Sequence, residues 1–186
     1  EYKRNFYDSC LRVPLVIEGG EFKGGVRSKK MVSLINLPTT ILRIAGVEPP
    51  AEMHYPPLQQ ALTDDWKDAI FYQISESFVG RGVRTKKWKY CVHAPHMQDS
   101  VGEIGHEWSL EAYYKMVSKS SINSDEYVEL ALHDLENDPL EKNNLVSDPA
   151  YAEIRSKLAN LMTEFMVEAG EKKPEIYPAG TVLKRK

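Results

Sequence analysis

The sequence is poor in cysteine, in long apolar runs and in unbalanced charge, and each shortage excludes a class of protein. Two cysteines, Cys10 and Cys91, are too few and too far apart for a disulfide framework. No apolar run approaches the roughly 20 residues that a membrane-spanning helix needs. A net charge of −3 gives no general attraction for nucleic acid or for an anionic membrane surface.

What the sequence does contain is typical of a globular protein. Its hydrophobic content of 42% and its charged content of 27% lie in the ordinary range. A chain of 186 residues is long enough to bury a real core. Because the chain opens on Glu1 without an initiator methionine, we expect it to begin inside a longer protein.

The stretch before Gly19-Gly20 predicts a buried strand. Residues 13–17, Val-Pro-Leu-Val-Ile, form a short, apolar and largely branched run. Lys3 lies upstream, four positions before the pair Tyr7-Asp8. Ligands collect at strand ends in α/β sheets, so a lysine delivered to such an end is well placed to meet an anion. On composition alone, the more frequent outcome is a solvent-exposed lysine.

A helix is predicted next. Asn36 is a good N-cap, Pro38 suits the first helical turn, and Gly46 is a typical stop. We expect one broad apolar face of this helix to lie in a core. That face consists of Leu37, Ile41, Leu42, Ile44 and Ala45. Paired prolines at 49–50 and 56–57 then predict a loop-like linker up to residue 68.

The second half of the chain predicts an α+β unit. Strand patterns cover residues 69–75, 79–85 and 87–93, with a tight turn at Lys86-Lys87 between the last two. In a fourth strand, Val128, Leu130 and Leu132 alternate with Glu129, Ala131 and His133. Apolar residues at helical spacing predict a long helix over 149–169, and the tail from residue 171 is expected to wrap the surface or fray.

The connection between the third and fourth strands, residues 94–126, is long for a hairpin. Long connections are usually functional or disordered. A helix is predicted near residues 107–117. The connection is either a local packing elaboration, which we favour slightly, or a wall over an active site.

Four pieces of the sequence resemble the sulfatase family of the alkaline phosphatase superfamily. The first is Lys3-x-x-x-Tyr7-Asp8-x-x-x-Arg12-x-Pro14 before the predicted strand, with Asp8 where the family has Glu. The other three follow in the family's order. They are residues 32–39, with Asn36 where Asp is usual, residues 83–90, and residues 132–145. Each piece is modest, and their shared order makes the resemblance more specific than any one of them.

The resemblance implies a fold that passes from α/β to α+β. It assigns residues 1–66 to the C-terminal end of the catalytic α/β domain plus a linker, contributing a strand and a helix from the edge of the large domain. Residues 67–186 then form the C-terminal α+β subdomain, a four-stranded antiparallel sheet packed with one long helix. The resemblance also favours a periplasmic or secreted protein.

The same resemblance implies that Lys3 binds the sulfate ester in the active site. The family's nucleophile is a formylglycine made from Cys or Ser in Cys/Ser-x-Pro-x-Arg, and neither Cys10 nor Cys91 stands in that motif. The carboxylates that hold the family's divalent metal, usually calcium, also belong upstream. Asp64-Asp65 lies in a loop after the predicted helix, in the wrong place for them. The implied partners are therefore the N-terminal part of the same sulfatase and a small sulfated substrate.

Substrate contacts are expected where the family's C-terminal loops border the pocket. The candidates at strand ends and loops are Glu76, Arg81, His93 and His96. The guanidinium groups of Arg81 and Arg84 could bind sulfate or a carboxylate through two parallel hydrogen bonds. A solvated sheet face is the alternative for both.

Two segments resemble metal sites and are better explained otherwise. His93-Ala94-Pro95-His96 has the spacing of a metal pair, but it lacks a third ligand at zinc-like spacing. The acidic stretch 134–144 lacks the order of a calcium-binding EF-hand loop and predicts a turn rich in side-chain caps. His133, inside a strand, is predicted to be structural.

The function implied is hydrolysis of a sulfate ester of a sugar or an aryl alcohol, with the isolated fragment inactive. One alternative is a phosphonate or phosphate diester hydrolase of the same superfamily, which the upstream nucleophile would distinguish. The other is a non-catalytic module that binds sulfated glycans or a partner chain.

Overall fold

The computed structural model describes residues 5–63, 66–75, 79–94 and 124–183. Backbone contacts divide the chain into two compact units, one formed by residues 13–70 and the other by residues 1–12 together with 71–186. No helix in these described ranges is long and apolar enough to cross a membrane. The helix predicted near residues 107–117 lies outside the described residues.

A five-stranded sheet dominates the larger unit. Its strands follow chain order, β1-β2-β3-β4-β5. They are β1 (Ala69–Ile74), β2 (Gly80–Thr85), β3 (Trp88–His93), β4 (Glu126–Asp134) and β5 (Glu175–Tyr177). Strands β2, β3 and β4 pair antiparallel, and β2 joins β3 through the predicted tight turn, where Thr85 Oγ1 accepts a hydrogen bond from the backbone N–H of Trp88 at 2.9 Å.

The sheet has one strand more than the four that were predicted. The tail that was expected to wrap the surface or fray contributes β5, which pairs parallel to β4. A parallel neighbour needs a long crossover connection. The helix between β4 and β5 provides it. Three residues are too few to show a strand period, so no sequence pattern indicates this strand.

The predicted long helix is confirmed. A 3₁₀ turn at Pro149–Tyr151, capped by the Asp148 carboxylate on the backbone N–H of Ala150 at 2.9 Å, leads into helix α3 (Ala152–Glu168). Leu158, Met162 and Met166 are buried at four-residue spacing, and the helix contacts β2 and β3. The sheet surface under α3 is called the helix face below.

A β-bulge changes the predicted alternation of β4. Cys91 pairs with Ala131 while Val92 pairs with Glu129, so Leu130 is the extra residue. Leu132 therefore lies on the helix face with Glu129, whereas Leu130 packs on the opposite face with Cys91. The prediction that Val128, Leu130 and Leu132 share one face is wrong, because one inserted residue reverses the side-chain direction beyond it.

In the smaller unit, residues 13–17 do not form the predicted buried strand. They have no regular structure, and Val13, Leu15 and Val16 are exposed, Val16 by 92%. Branched residues favour a strand only where a neighbouring strand pairs with them. Among the described residues no strand pairs with this segment.

The second helix, α2 (Asn36–Ile44), is present as predicted, with Gly46 at φ +70° after it, but its fully buried positions are not the apolar ones. The buried side is polar, where Thr39 Oγ1 and Thr40 Oγ1 donate hydrogen bonds to the carbonyl of Asn36. Ile41 and Ile44 are 62% and 55% exposed, so the prediction that they lie in the core is wrong within this chain. Asn36 is the first helical residue rather than the N-cap, and its side chain bonds Ser33 and Pro56.

We expect Leu158→Ala to lower the free energy of unfolding by about 2–5 kcal/mol, because it leaves a cavity under α3. Urea unfolding followed by circular dichroism measures the change. Val167→Ala is the matched control, since Val167 lies on the same helix and is 51% exposed. Equal midpoints for the two variants would contradict the packing described here.

Candidate functional site

The N-terminal segment, residues 5–12, lies on the sheet face opposite α3. Phe6 is buried and packs in a cluster with Ile74, Cys91 and Tyr72, and its ring lies 5.4 Å from that of Tyr72. The segment ends in the short helix α1 (Asp8–Leu11). We call this side of the sheet the anchor face.

Cross-strand pairing decides which side chains belong to the anchor face. Lys89 pairs with Arg84 on one side and with His133 on the other, and Cys91 pairs with Gly82 and Ala131. Directly paired residues point to the same side of a sheet. The anchor face therefore carries the side chains of Arg84, Lys89, Cys91, His93 and His133.

A network of four charges joins α1 to the anchor face. The Asp8 carboxylate accepts two parallel hydrogen bonds from Arg84, at 3.0 and 2.8 Å, and binds the Lys89 ammonium at 2.6 Å. Lys89 also binds the Glu141 carboxylate, whose other oxygen accepts the backbone N–H of Asp8 at 2.7 Å. Two cations and two anions balance, which is the condition for burying such charges.

Lys89 and Glu141 are the buried centre of this charge network. The Lys89 side chain is fully buried and that of Glu141 is 4% exposed. Glu141 adopts φ +55°, an uncommon backbone conformation for a residue with a side chain. Its two partners hold this unusual conformation in place.

The loop that presents Glu141 is built from side-chain caps, as predicted. Asp134 Oδ1 accepts the backbone N–H of Glu136, and Asp138 Oδ2 accepts that of Asn143. His133 is buried and bonds the carbonyl of Asn143 through Nδ1 at 3.0 Å, which confirms its structural role. The ring of Tyr7 lies 6.3 Å from that of His133, so the segment also contacts this end of β4.

The electrostatics of the network favour an ionised Asp8. Burial acts to raise the pKa of Asp8, but the hydrogen bonds and charges of Arg84 and Lys89 outweigh it and hold that pKa below its usual range. Nearby, burial raises the pKa of the Cys91 thiol to about 12. Tyr72 Oη lies 3.4 Å from Cys91 Sγ. A thiol with so high a pKa is not a nucleophile at neutral pH.

Gly82 makes room for Tyr72 on the anchor face. A Cβ at position 82 would lie 2.6 Å from Tyr72 Cζ, closer than side-chain atoms approach. The missing side chain lets the aromatic ring approach β2 closely, with its hydroxyl next to Cys91. Phe6 then packs against that ring.

Arg81, one of the predicted substrate contacts, lies on the helix face. Its side chain is 1% exposed and bonds the Glu171 carboxylate through Nε at 2.9 Å and through a terminal nitrogen at 3.1 Å. The guanidinium also lies over the ring of Tyr127, 5.8 Å from its centre. The alternative of a solvated sheet face is therefore wrong for Arg81, and a substrate contact stays a prediction.

His93 lies at the end of β3 on the anchor face, opposite to Arg81. It pairs with Gly80 and Val128 and is half-buried, and that burial lowers its pKa. Two of the predicted substrate residues, Arg81 and His93, thus lie on opposite faces of the sheet. Lys3, Glu76 and His96 lie outside the described residues.

Sequence reasoning missed the buried Lys89–Glu141 pair. The only signal in the sequence is that strand alternation puts Lys89 on the same face as Cys91, a residue type that is usually buried. The partners are 52 positions apart, and pairing over that distance has no local pattern.

In the described part of the chain, no three histidine, cysteine or acidic side chains converge as metal ligands, so these residues do not fit the divalent metal that the family resemblance implies.

Replacing Lys89 with Met should lower the free energy of unfolding by about 3–5 kcal/mol, because it leaves two carboxylates close together and partly buried. Chemical unfolding of the purified chain measures this loss. The matched control is Lys87→Met, since Lys87 is on the same hairpin but pairs with exposed Glu136. A Lys89 variant as stable as the control would show that the network contributes nothing.

Acid should weaken the same network. The folded-state pKa of Asp8 lies below its ordinary value of 3.8, so its stabilisation is complete above that value and is lost as pH falls through the folded-state pKa. We expect Asp8→Asn to have a lower thermal midpoint than the parent at neutral pH. The midpoints of both proteins are measured from pH 7 to pH 2. The difference should shrink below about pH 4. A constant difference would exclude the ionised carboxylate as its cause.

Two known sulfatases are similar to this chain in sequence. An ulvan-active sulfatase of Formosa agariphila is 26% identical over 175 residues, which are 88% of this chain and 34% of the relative. The N-acetylglucosamine-6-O-sulfatase of Bacteroides thetaiotaomicron is 25% identical over 186 residues, covering 93% and 28%. This chain thus spans about a third of the length of these relatives.

A solved sulfatase structure also resembles this chain in its fold. The solved structure of a 2-O GAG sulfatase matches with a TM-score of 0.58 at 21% identity, over 89% of this chain and 32% of that one. The family described as N-sulphoglucosamine sulphohydrolase, C-terminal, matches residues 2–104, more than half of the sequence. The chain therefore belongs to the C-terminal family of the sulfatases.

Proposed function

We propose that this chain is the C-terminal part of a sulfatase that hydrolyses the sulfate ester of a sulfated sugar. The family match over residues 2–104 carries the proposal. The two relatives named above support a sugar, since one is ulvan-active and the other is an N-acetylglucosamine-6-O-sulfatase. No observation favours the diester hydrolase or the non-catalytic module.

Lys3 is the proposed catalytic residue of this chain. Its ammonium would bind the sulfate group and stabilise the negative charge that develops on the sulfate and the leaving oxygen. Fixed positive charge aimed at such a transition state is among the strongest contributions an active site can make. Its place in the family motif, four positions before Tyr7-Asp8, supports this role.

The proposed substrate contacts are Glu76, Arg81, His93 and His96. Of the two that the structure describes, His93 is the better supported, because it lies on the anchor face with the N-terminal segment. Arg81 already binds Glu171, so a substrate anion would have to displace that carboxylate. A histidine and an arginine at the pocket would select anionic or hydroxyl-rich substrates.

The remaining catalytic groups are proposed to come from the N-terminal part of the same protein. These are the formylglycine nucleophile and a divalent metal, calcium by family resemblance, which would neutralise sulfate oxygens. The domain assignment, residues 1–66 and 67–186, stays part of this proposal. In the smaller unit, exposed Val13, Val16, Ile41 and Ile44 offer apolar surface that a larger domain could cover.

The test of the function is sulfate release by the complete enzyme. Lys3→Ala should lower kcat by about 10²–10³, by analogy with removing one preorganised donor, and should leave the thermal midpoint nearly unchanged. Lys3→Arg should restore only part of the rate, because a planar fork replaces a compact ammonium. N-acetylglucosamine 6-sulfate and 4-nitrophenyl sulfate are suitable substrates, with released sulfate measured by ion chromatography.

Normal turnover by Lys3→Ala would remove Lys3 from the catalytic machinery. Failure of the complete enzyme to release sulfate from any of a panel of sulfated sugars would overturn the proposed reaction. The isolated 186-residue chain serves as the negative control, since it should release none.

A further inference from the structure

A stretch of eight residues in the smaller unit carries four cations and no acidic side chain. We call this stretch, residues 23–30, the basic segment. Its cations are Lys23, Arg27, Lys29 and Lys30. The whole chain has a net charge of −3, so this local excess of positive charge stands out against an acidic background. Such a concentration of one sign of charge attracts partners of the opposite sign.

The positive charge of the basic segment is not neutralised within the described part of the chain. Among the described residues, no ion pair involves any of its four cationic side chains. Three of them are exposed, and that of Lys30 is partly exposed. Cations of the larger unit are used differently, since Arg84, Lys89 and Arg155 each bind a carboxylate. The basic segment is therefore free to bind anions from outside.

The acidic side chains that precede the basic segment do not cancel its charge. Glu21 binds Arg43 at 3.6 Å, so its charge is already offset by another cation. Glu18 approaches the turn at Gly24, because its Oε1 would lie 3.7 Å from a Cβ at that position. It forms no ion pair with the described cations. One carboxylate thus stands beside four positive charges.

Both ends of the basic segment are fixed to the smaller unit. Before it, Gly19 and Phe22 exchange two backbone hydrogen bonds of 3.0 Å. After it, Met31 donates its backbone N–H to the Asp68 carboxylate at 2.8 Å and accepts the Trp66 indole N–H on its carbonyl at 2.8 Å. The residues between these ends form no helix or strand. The segment therefore stays in place while its exposed side chains can adjust to a partner.

We propose that the basic segment binds the sulfate groups of a sulfated polysaccharide. The inference rests on the proposed function and narrows its sulfated sugar to a polymer. Exposed cations on irregular backbone are not preorganised around one point, so they suit a string of separated anions better than a single ion. Each contact is weak alone, and several made by one polymer together give a measurable affinity.

Two other anionic partners fit the basic segment less well. Segments that bind single-stranded nucleic acid combine positive charge with aromatic side chains on which bases stack, and residues 23–30 contain no aromatic residue. Stable binding to an anionic membrane combines a basic patch with a lipid chain or an amphipathic helix. The basic segment is not helical, and Val26 is its one large apolar residue.

The test is the affinity of the complete enzyme for dextran sulfate, with unsulfated dextran as the blank. The segment variant carries Lys23→Gln, Arg27→Gln, Lys29→Gln and Lys30→Gln together. We measure Kd by fluorescence anisotropy of the labelled polymer at about 50 and about 200 mM salt. The segment variant should bind about 10–100-fold more weakly at the lower salt concentration, and its Kd should depend less on salt.

The matched control removes four exposed cations from the larger unit instead. It carries Lys142→Gln, Lys157→Gln, Lys172→Gln and Lys173→Gln, so the net charge changes by the same amount. Its Kd should stay within about twofold of the parental value, because screening limits the effect of distant charges. Thermal midpoints of both variants should be parental, since the substituted side chains lie at the surface. If the segment variant does not fold, two double variants, at residues 23 and 27 and at residues 29 and 30, replace it.

The outcomes separate this inference from the proposed function. A parental Kd in the segment variant, or an equal loss of affinity in the control, would overturn the binding role. So would equally tight binding of single-stranded DNA or of phosphatidylserine vesicles with the same loss in the segment variant, because the segment would then attract anions of any kind. If the enzyme binds dextran sulfate through this segment but releases sulfate from no sugar, the proposed reaction is wrong and the binding role is supported.

Discussion

Burial of the Lys89 ammonium is the constraint on which the larger unit depends. An ammonium with no solvent exposure is tolerated only where opposite charges and hydrogen bonds replace its water. Asp8 and Glu141 are 133 positions apart in the sequence, and the carboxylates of both bind the buried ammonium. The N-terminal segment and the turn after β4 are therefore parts of one cooperative structure.

The burial of Lys89 also explains how the chain can leave the larger unit after residue 12 and return to it at residue 71. Residues up to 12 belong with the C-terminal sheet, although residues 13–70 separate them in the sequence. Closing so long a loop has an entropic cost that grows only slowly with its length. The four-charge network and the Phe6 cluster supply the contacts that offset this cost.

The sequence predicted those elements that depend on local pattern. The β2–β3 hairpin, α3 and the capped turn after β4 follow from strand alternation, helical spacing and the many Asp and Asn residues. It failed where the outcome depended on distant partners. Residues 13–17 lack a pairing strand, α2 buries Asn36, Thr39 and Thr40 while Ile41 and Ile44 stay exposed, and β5 is visible only through its pairing with β4. Likewise, Asp8 belongs to the family motif, but its partners Lys89 and Glu141 are distant in sequence and no local pattern indicates them.

The different exposure of the two cysteines allows the N-terminal segment to be labelled selectively. Cys91 is fully buried beneath Tyr72 with a thiol pKa near 12, whereas Cys10 lies in α1 and is partly exposed. A thiol-directed dye should therefore react at one position without any cysteine having to be removed. Because α1 carries Asp8, a dye at Cys10 would move with the segment that the charge network holds. Its fluorescence would follow detachment of α1 separately from unfolding of the sheet.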